Sequence, residues 1–522
     1  MNKYIFKFCL VISAIGLISV GCDKQLEIAP RQSIDAATAL TSREAIDASL
    51  TSIYARLKNN RLYGRDLIAV PEALADNGFA TNKSGRLLPE AQNNQGAIFQ
   101  PVGSSGTIWT ISFAAINQIN LTLDAVATVS GISPFDKNNL NGQLYFLRAM
   151  FYFEMMKVYA YIPGAVIAQL ERGGVPLLPN GIASADSALV FKPGRAPIDA
   201  VYAQIVADFT LANGLLPISG AGVGSSIGNK EAAQGMLSRV NLYRKNFSEA
   251  KRWSDSCTAI AGSRITTTAN HVAQWRVENH QESLFQVRFA TATENIGVNE
   301  SLQTSFTTLL VAGDSSKLGG FGDLVPTLTL LTDLGITLVG GNTSTVNFAM
   351  NAFVASRSND VRNLLYEKGN VGRGPAKIET TKYLGKNGFP NLDNVPVIRI
   401  AEIYLNRAEA AATVGSPVFS LTAALADLKF IKSRRYTGFT GSAQETADNA
   451  LGQAALLEEI LRQRRIELAF EGQRFFDLKR LGRDLIKGPH YNNVLFTDTR
   501  ILAPIPQGDV DGNPNLVQNA GY

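Results

Sequence analysis

Apolar residues recur along this chain at mixed spacings of three and four, a helical rather than an extended period. Over residues 42–58 that spacing puts Ala45, Ile46, Ala48, Ser49, Ile53, Tyr54 and Leu57 on one face. Thr41 or Ser42 is placed to cap the first turn. The same period predicts helices over 108–127, 143–161, 198–211, 230–244, 248–261, 398–412, 421–433 and 454–485. Loops rich in Gly, Ser and Asn interrupt them, the longest at 77–106 and 290–322. Connections of that length in a compact protein are usually functional or disordered. Clustered branched and aromatic residues mark two short strands, at 283–289 and 397–400.

Two helix pairs carry a repeat signal. In 230–261, Leu237 and Ser238 are followed by Ala250 and Cys257, close to the spacing by which tetratricopeptide hairpins seat a small residue where helices cross. Lys245-Asn246-Phe247-Ser248 forms the turn. In a second, degenerate pair, 400–414 with 421–434, Ala408 and Ala411 face Ala423 and Ala424 across a turn stretched by Gly415-Ser416-Pro417. The expected fold is therefore mainly α: tetratricopeptide-like helical hairpins as a scaffold, long irregular loops and a few short β-strands.

At the amino end, Lys3 and Lys7 precede an apolar run over 8–20, too short to cross a bilayer as a mature helix and arranged as a secretory signal. The run ends in Ile18-Ser19-Val20-Gly21-Cys22, which resembles a bacterial lipobox, although Ser19 stands where leucine is preferred. Residues 1–21 would leave as the leader, with Cys22 acylated; cleavage by ordinary signal peptidase is the alternative. Each buried acyl methylene contributes roughly 0.8 kcal/mol to membrane binding. No later run is apolar enough to span a bilayer, so the lipid would be the anchor. The remainder divides into an amino-terminal region, 22–220, and a carboxy-terminal region, 221–522, expected to pack as a single globule.

With 522 residues and 45% apolar content, the chain can bury a large core. Its net charge of +5 falls to +3 without Lys3 and Lys7, and no basic block exists to track phosphates, which excludes nucleic acid as an expected partner. Cys9, Cys22 and Cys257 are too few for a disulfide framework, and Cys257 reads as a small buried hydrophobe. His271, His280 and His490 have no metal-ligand spacing, and the glycine clusters lack the lysine of a phosphate loop. No metal, cofactor or catalytic residue is expected. Glu72 and Asp76, four apart, read as a solvated helix end, and Trp109 and Trp253 as packing, while Trp275 precedes the first strand.

Several segments resemble one family in their order along the chain. Leu147-Arg148-Ala149, Phe151-Tyr152-Phe153 and Val158-Tyr159 lead into Gly173-Gly174-Val175-Pro176-Leu177. Further on come Arg399-Ile400-Ala401-Glu402-Ile403-Tyr404-Leu405-Asn406-Arg407-Ala408-Glu409-Ala410 and Arg464-Arg465-Ile466-Glu467-Leu468-Ala469-Phe470-Glu471-Gly472-Gln473-Arg474-Phe475-Phe476-Asp477-Leu478. The tail adds Pro504-Ile505-Pro506-Gln507 and Asn513-Pro514-Asn515-Leu516-Val517-Gln518-Asn519-Ala520-Gly521-Tyr522. Together these are similar to the SusD/RagB proteins of Bacteroidetes.

The resemblance implies a non-enzymatic outer-membrane lipoprotein, facing the cell exterior, that captures a glycan or oligosaccharide for a SusC-like TonB-dependent barrel. A peptide ligand of the RagB kind, or a tetratricopeptide-like scaffold without small ligand, are the alternatives; a secreted hydrolase is a third. By the same resemblance the ligand site combines the stretch before Trp109, with Phe79, Asn82, Asn93, Asn94 and Phe99, and the loops after the first strand, with Phe306 and Phe321. Physically, the alternating charges of 464–477 read as structural pairs along one helix, and the Asn- and Pro-rich tail as a strap over the surface.

Overall fold

The computed structural model describes residues 39–81, 83–93, 106–218, 225–340, 352–372, 374–386 and 388–522. Among them are eighteen helices and ten short strands. Eleven helices have eight residues or more: α1 (Arg43–Leu57), α2 (Asp66–Leu74), α3 (Ile108–Thr128), α4 (Pro134–Tyr159), α5 (Ile198–Leu215), α6 (Lys230–Tyr243), α7 (Phe247–Ala261), α8 (Ile400–Ala412), α9 (Leu421–Arg435), α10 (Gln453–Glu467) and α11 (Arg474–Leu481). The mainly α expectation holds.

Local chemistry explains their starts. The hydroxyls of Ser42 and Ser133 and the amides of Asn229 and Asn246 each accept from a backbone N–H in the first turn of α1, α4, α6 and α7. α4 begins nine residues before its predicted start. Its first turns, through Asn138, Asn139 and Asn141, lack an apolar stripe, yet Ser133 caps them and Pro134 opens them. Gly142 lets this part of the helix lie against Leu216, whose Cγ would stand 2.7 Å from an added Cβ.

The helices pack in sequence. α1 lies on α3, α3 on α4, α4 on α5, α5 on α6 and α6 on α7; α7 then meets α8, which meets α9 and α10. Small residues sit at the crossings, as the repeat spacing predicts. Ser238 and Ser254 touch through their hydroxyls at 2.8 Å, and Cys257 packs on the Glu231 carbonyl. Burial pushes the Cys257 thiol pKa far up, so it behaves as an apolar side chain. Ala408, Ala411 and Ala424 share a cluster with Leu428, Leu456 and Ile460.

The ten strands form five antiparallel two-stranded ribbons. β2 (Ser283–Val287) pairs with β10 (Val395–Arg399), at the two stretches the sequence marks as strands. The other ribbons are β1 (Gly78–Ala80) with β5 (Leu324–Pro326), β3 (Leu309–Val311) with β4 (Asp314–Leu318), β6 (Ile336–Val339) with β7 (Phe353–Arg357), and β8 (Tyr366–Lys368) with β9 (Ile378–Thr380). Residues 290–322 are therefore not a purely irregular loop. Strands this short leave too little alternation to read in the sequence.

A second difference is larger. The helix expected over 454–485 is two helices, α10 and α11, broken at 468–473. Phe470 and Gly472 take φ of +62° and +76°. A Cβ at Gly472 would lie 2.2 Å from the Leu67 carbonyl, so only glycine allows α2 this close. The break turns the charged residues inward instead of along one helix face. Glu467 accepts from Arg399 at 2.9 Å, Arg435 at 2.9 Å and Arg362 at 3.2 Å, all fully buried. Arg399 also holds Glu282 and Glu471, and Lys382 reaches Glu471. A second buried chain runs Arg239–Glu402–Arg464–Asp477–Arg480–Glu409. Together they tie α6, α8, α9, α10 and α11 to the ribbons.

The tail is the expected strap. Asn515 donates to the Lys192 carbonyl, and buried Asn519 donates to the carbonyls of Tyr159 and Ala503 and accepts from Arg195. Gln518 exchanges bonds with both backbone groups of Ile505.

Removing one member of a buried ion pair typically costs about 3–5 kcal/mol, and Glu467→Gln is expected to lower stability by that order in denaturant titrations. Burial raises the Glu467 pKa, but Arg435 and Arg399 outweigh it and hold the carboxyl well below its ordinary range. Because the folded-state pKa is the lower one, its stabilisation is complete above the unfolded value of about 4.5 and is lost as pH falls further. Wild-type stability should drop more steeply than that of the variant below that pH. Parallel pH profiles would contradict this assignment.

Candidate functional site

The two stretches expected to build a site meet. β1 pairs with β5, setting Phe79 opposite Val325. Beyond the ribbon, Thr81 donates to the Gly322 carbonyl at 2.7 Å, and Asp323 accepts from Ser84 at 2.5 Å and from Arg86 Nε at 3.1 Å. The Arg86 guanidinium lies 4.7 Å over the half-buried ring of Phe321. Phe79 is buried, stacked on Tyr491 at 5.9 Å with His490 edge-on at 5.0 Å. The Tyr491 hydroxyl accepts from the Ala80 N–H at 3.0 Å, fixing the aromatic layer to β1.

Charges underlie this face. Glu379 of β9 is buried; its Oε2 accepts from the Thr308 N–H and from the hydroxyls of Thr307 and Thr308, while its Oε1 faces Lys83 Nζ at 3.6 Å. Burial raises the Glu379 carboxyl above its usual range, with Lys83 opposing. Lys377 stands 5.2 Å over Phe79, and burial together with Lys83 lowers its ammonium to about 8. On the neighbouring ribbon Phe353 is 54% exposed, with Lys368 Nζ 3.4 Å from its ring centroid. Ala352, the residue before it, packs against Phe79 and Val325.

The expected site residues therefore divide. Phe79 and Phe321 belong to this face. Asn93 is buried beneath it, at φ +55°, where its Oδ1 accepts from Lys487 at 2.8 Å. Lys487 also donates to the carbonyls of Ala73 and Ala91, and burial pulls its ammonium down to about 7. Phe306 is 0% exposed and packs on Phe470 and Tyr383, so it belongs to the core rather than to a contact surface. Asn82, Asn94 and Phe99, like Cys9 and Cys22 with the leader, lie outside the described residues. Trp109, Trp253 and Trp275 are buried in packing positions.

Lys83, Arg86, Lys377 and Phe353 were missed by the sequence, which offers only a loop composition there. Glu72 is corrected too: it is not on a solvated end but fully buried in α2, where burial raises its carboxyl to about 6 against bonds from Asn77 and the Gly472 N–H. Asp76 pairs with Arg474 at 2.7 Å. A separate small cleft lined by Phe289, Ser301, Asn391 and Asp393 holds little more than a water. Among the described residues no cluster of three His, Cys, Asp or Glu is placed to hold a metal, and no helix is long and apolar enough to cross a membrane.

A helical-hairpin scaffold presenting an aromatic and cationic face on short ribbons is the architecture of a binding module. Residues 24–242 match the family model described as starch-binding associating with outer membrane, and residues 355–522 match that of the SusD family. These two models of one family together span most of the chain, which belongs to the SusD/RagB family. SusD-like protein P2 of Formosa agariphila is 22% identical over the full length of both chains, and SusD-like protein P38 of the same organism 23% over 98% of each. In fold, a SusD superfamily protein of Bacteroides thetaiotaomicron matches with a TM-score of 0.72 at 23% identity, over 91% of this chain and 99% of that one. Surface glycan-binding protein A of Bacteroides fluxus matches at 0.68 and 20%, over 92% and 100%.

Packing and contact residues should separate on truncation. Phe306→Ala is expected to destabilise by about 3–5 kcal/mol, whereas half-exposed Phe353→Ala should stay within about 0.5 kcal/mol of wild type. Chemical denaturation measures both, and equal losses would refute the division.

Proposed function

We propose that this protein captures a glycan at the cell surface and delivers it, untransformed, to a SusC-like TonB-dependent barrel. The carrying observation is the face where Phe79, Phe321, Tyr491 and Phe353 meet Lys83, Arg86 and Lys377 on loops braced by the helical scaffold. Aromatic faces suit the apolar faces of sugar rings, and fixed polar groups at their edges suit hydroxyls. Both buried carboxylates of the face are engaged, Asp323 by Ser84 and Arg86 and Glu379 by the threonines, which suits anchoring rather than proton transfer. Asn82, Asn94, Phe99 and Phe321 remain the proposed ligand-side residues; buried Phe79, packed on Tyr491, and Asn93, through Lys487, support them.

In this reading residues 1–21 leave as a signal peptide, acylated Cys22 holds the protein to the outer membrane facing outward, and regions 22–220 and 221–522 work as one body. The sequential helix stack offers the barrel a rigid partner surface, leaving the ribbon face for the ligand.

Detergent extraction of the native envelope and affinity capture of the tagged chain should bring down a large β-barrel in near-equal amount, with a glycan identifiable in the eluate. Cys22→Ala should move the chain from the membrane to the soluble fraction. Capture without a barrel, a peptide in place of the glycan, or release of cleaved sugars by the purified chain would each overturn the corresponding part.

A further inference from the structure

The stretch that carries β1 leaves α2 after Leu74, passes the turn with Arg86 and returns at the short helix Leu88–Ala91. Where its two limbs come back together, they meet one side chain. The buried Lys487 ammonium donates to the Ala73 carbonyl at 2.9 Å, to the Ala91 carbonyl, and to Asn93 Oδ1 at 2.8 Å. Both carbonyls lie in the last turn of a helix, where no residue further along supplies a donor, and a cation suits the negative end of the helix dipole. All three partners are neutral oxygens, so the lysine bridges backbone rather than neutralising a carboxylate.

The lysine itself stands on a braced segment. Leu485 and Val494 exchange both backbone bonds, at 2.8 and 3.0 Å, and the Lys487 N–H donates to Asn493 Oδ1 at 2.8 Å. The same segment sets the Tyr491 ring against Phe79 and its hydroxyl on the Ala80 N–H. It therefore grips the loop twice, at β1 and at the neck. A side chain without donors at position 487 would leave three inward-facing oxygens unmet, a state that burial penalises.

We propose that Lys487 is a positioning residue for ligand capture: by bridging the two limbs it holds the 74–91 loop, and with it the Arg86–Phe321 contact, in the shape that receives the ligand. The inference rests on the glycan-capture reading and adds the residue that preorganises the face. A loop that must be ordered on binding loses part of the interaction to its own ordering.

Hydrogen exchange of the purified full chain, read by mass spectrometry at about pH 6 where the lysine carries its proton, tests the bridge without ligand. In Lys487→Met, which keeps the stem and removes the donors, the amides of 75–81 should exchange about tenfold faster than in wild type, with α6 to α10 unchanged. Lys487→Arg restores charge and donors and should recover most of the protection. Titration calorimetry with maltoheptaose, cellohexaose and xylohexaose reads the consequence: whichever sugar the wild type binds, Lys487→Met should bind about tenfold more weakly. Should Lys487→Met not fold, Asn93→Ala, which removes one of the three acceptors, should move both readouts in the same direction. Unchanged exchange over 75–81, exchange that rises equally along the whole chain, or unchanged affinity with a loosened loop overturns this inference alone. Wild-type binding of none of the three sugars overturns the glycan reading and the ligand role together.

Discussion

Glu467 held among Arg399, Arg435 and Arg362 is the constraint on which the structure depends. Ions taken from water are tolerated only where partners replace the lost hydration, and here three arginines do so for one carboxylate. Those arginines come from the end of β10, the end of α9 and the turn before β8, while Glu467 closes α10. One buried carboxylate thus fixes the relative placement of the carboxy-terminal hairpin and two ribbons. Its position is specified by direction as well as energy, because guanidinium forks accept few orientations of their partner. The candidate face inherits that rigidity, since β9 packs on β5, which holds β1 and, through it, Phe79.

Much of the helical scaffold was legible because burial on one side of a helix imposes a period that composition cannot imitate. The small residues at 238, 250, 257, 408 and 411 announced the crossings for the same reason: two helices approach closely only where side chains are short. What misled was charge. Arg464 to Asp477 have the spacing of pairs on a single helix, and the pairs exist, but Arg464 meets Asp477 across a bend that Phe470 and Gly472 create. Spacing along the chain cannot distinguish partners on one helix from partners folded back on each other. The left-handed backbone at Gly472 is dictated by α2, some four hundred positions earlier, and no local signal carries that.

The proposed ligand face was legible as a place and not as a set of side chains. Long loops pointed to 77–106 and 290–322, and these do converge. Within them, aromatic type could not separate Phe306, sealed in the core, from Phe321 at the rim, because both sit among polar residues in sequence. The family resemblance named the stretches, while the cations opposite Glu379 follow only from the pairing of β1 with β5 and of β8 with β9. Phe353 escaped notice because the strand carrying it is short.

The strap has a kinetic meaning. The Tyr159 carbonyl at the end of α4, which also accepts from Arg195, takes a second bond from Asn519, 360 positions later, and the Lys192 carbonyl accepts from Asn515. These bonds form only once the segment carrying Asn515 and Asn519 has been made, so the early helices lack them while the intervening chain is synthesised. Contacts spanning such distances slow folding and prolong exposure of sticky surface. A chain built this way completes part of its native bonding late.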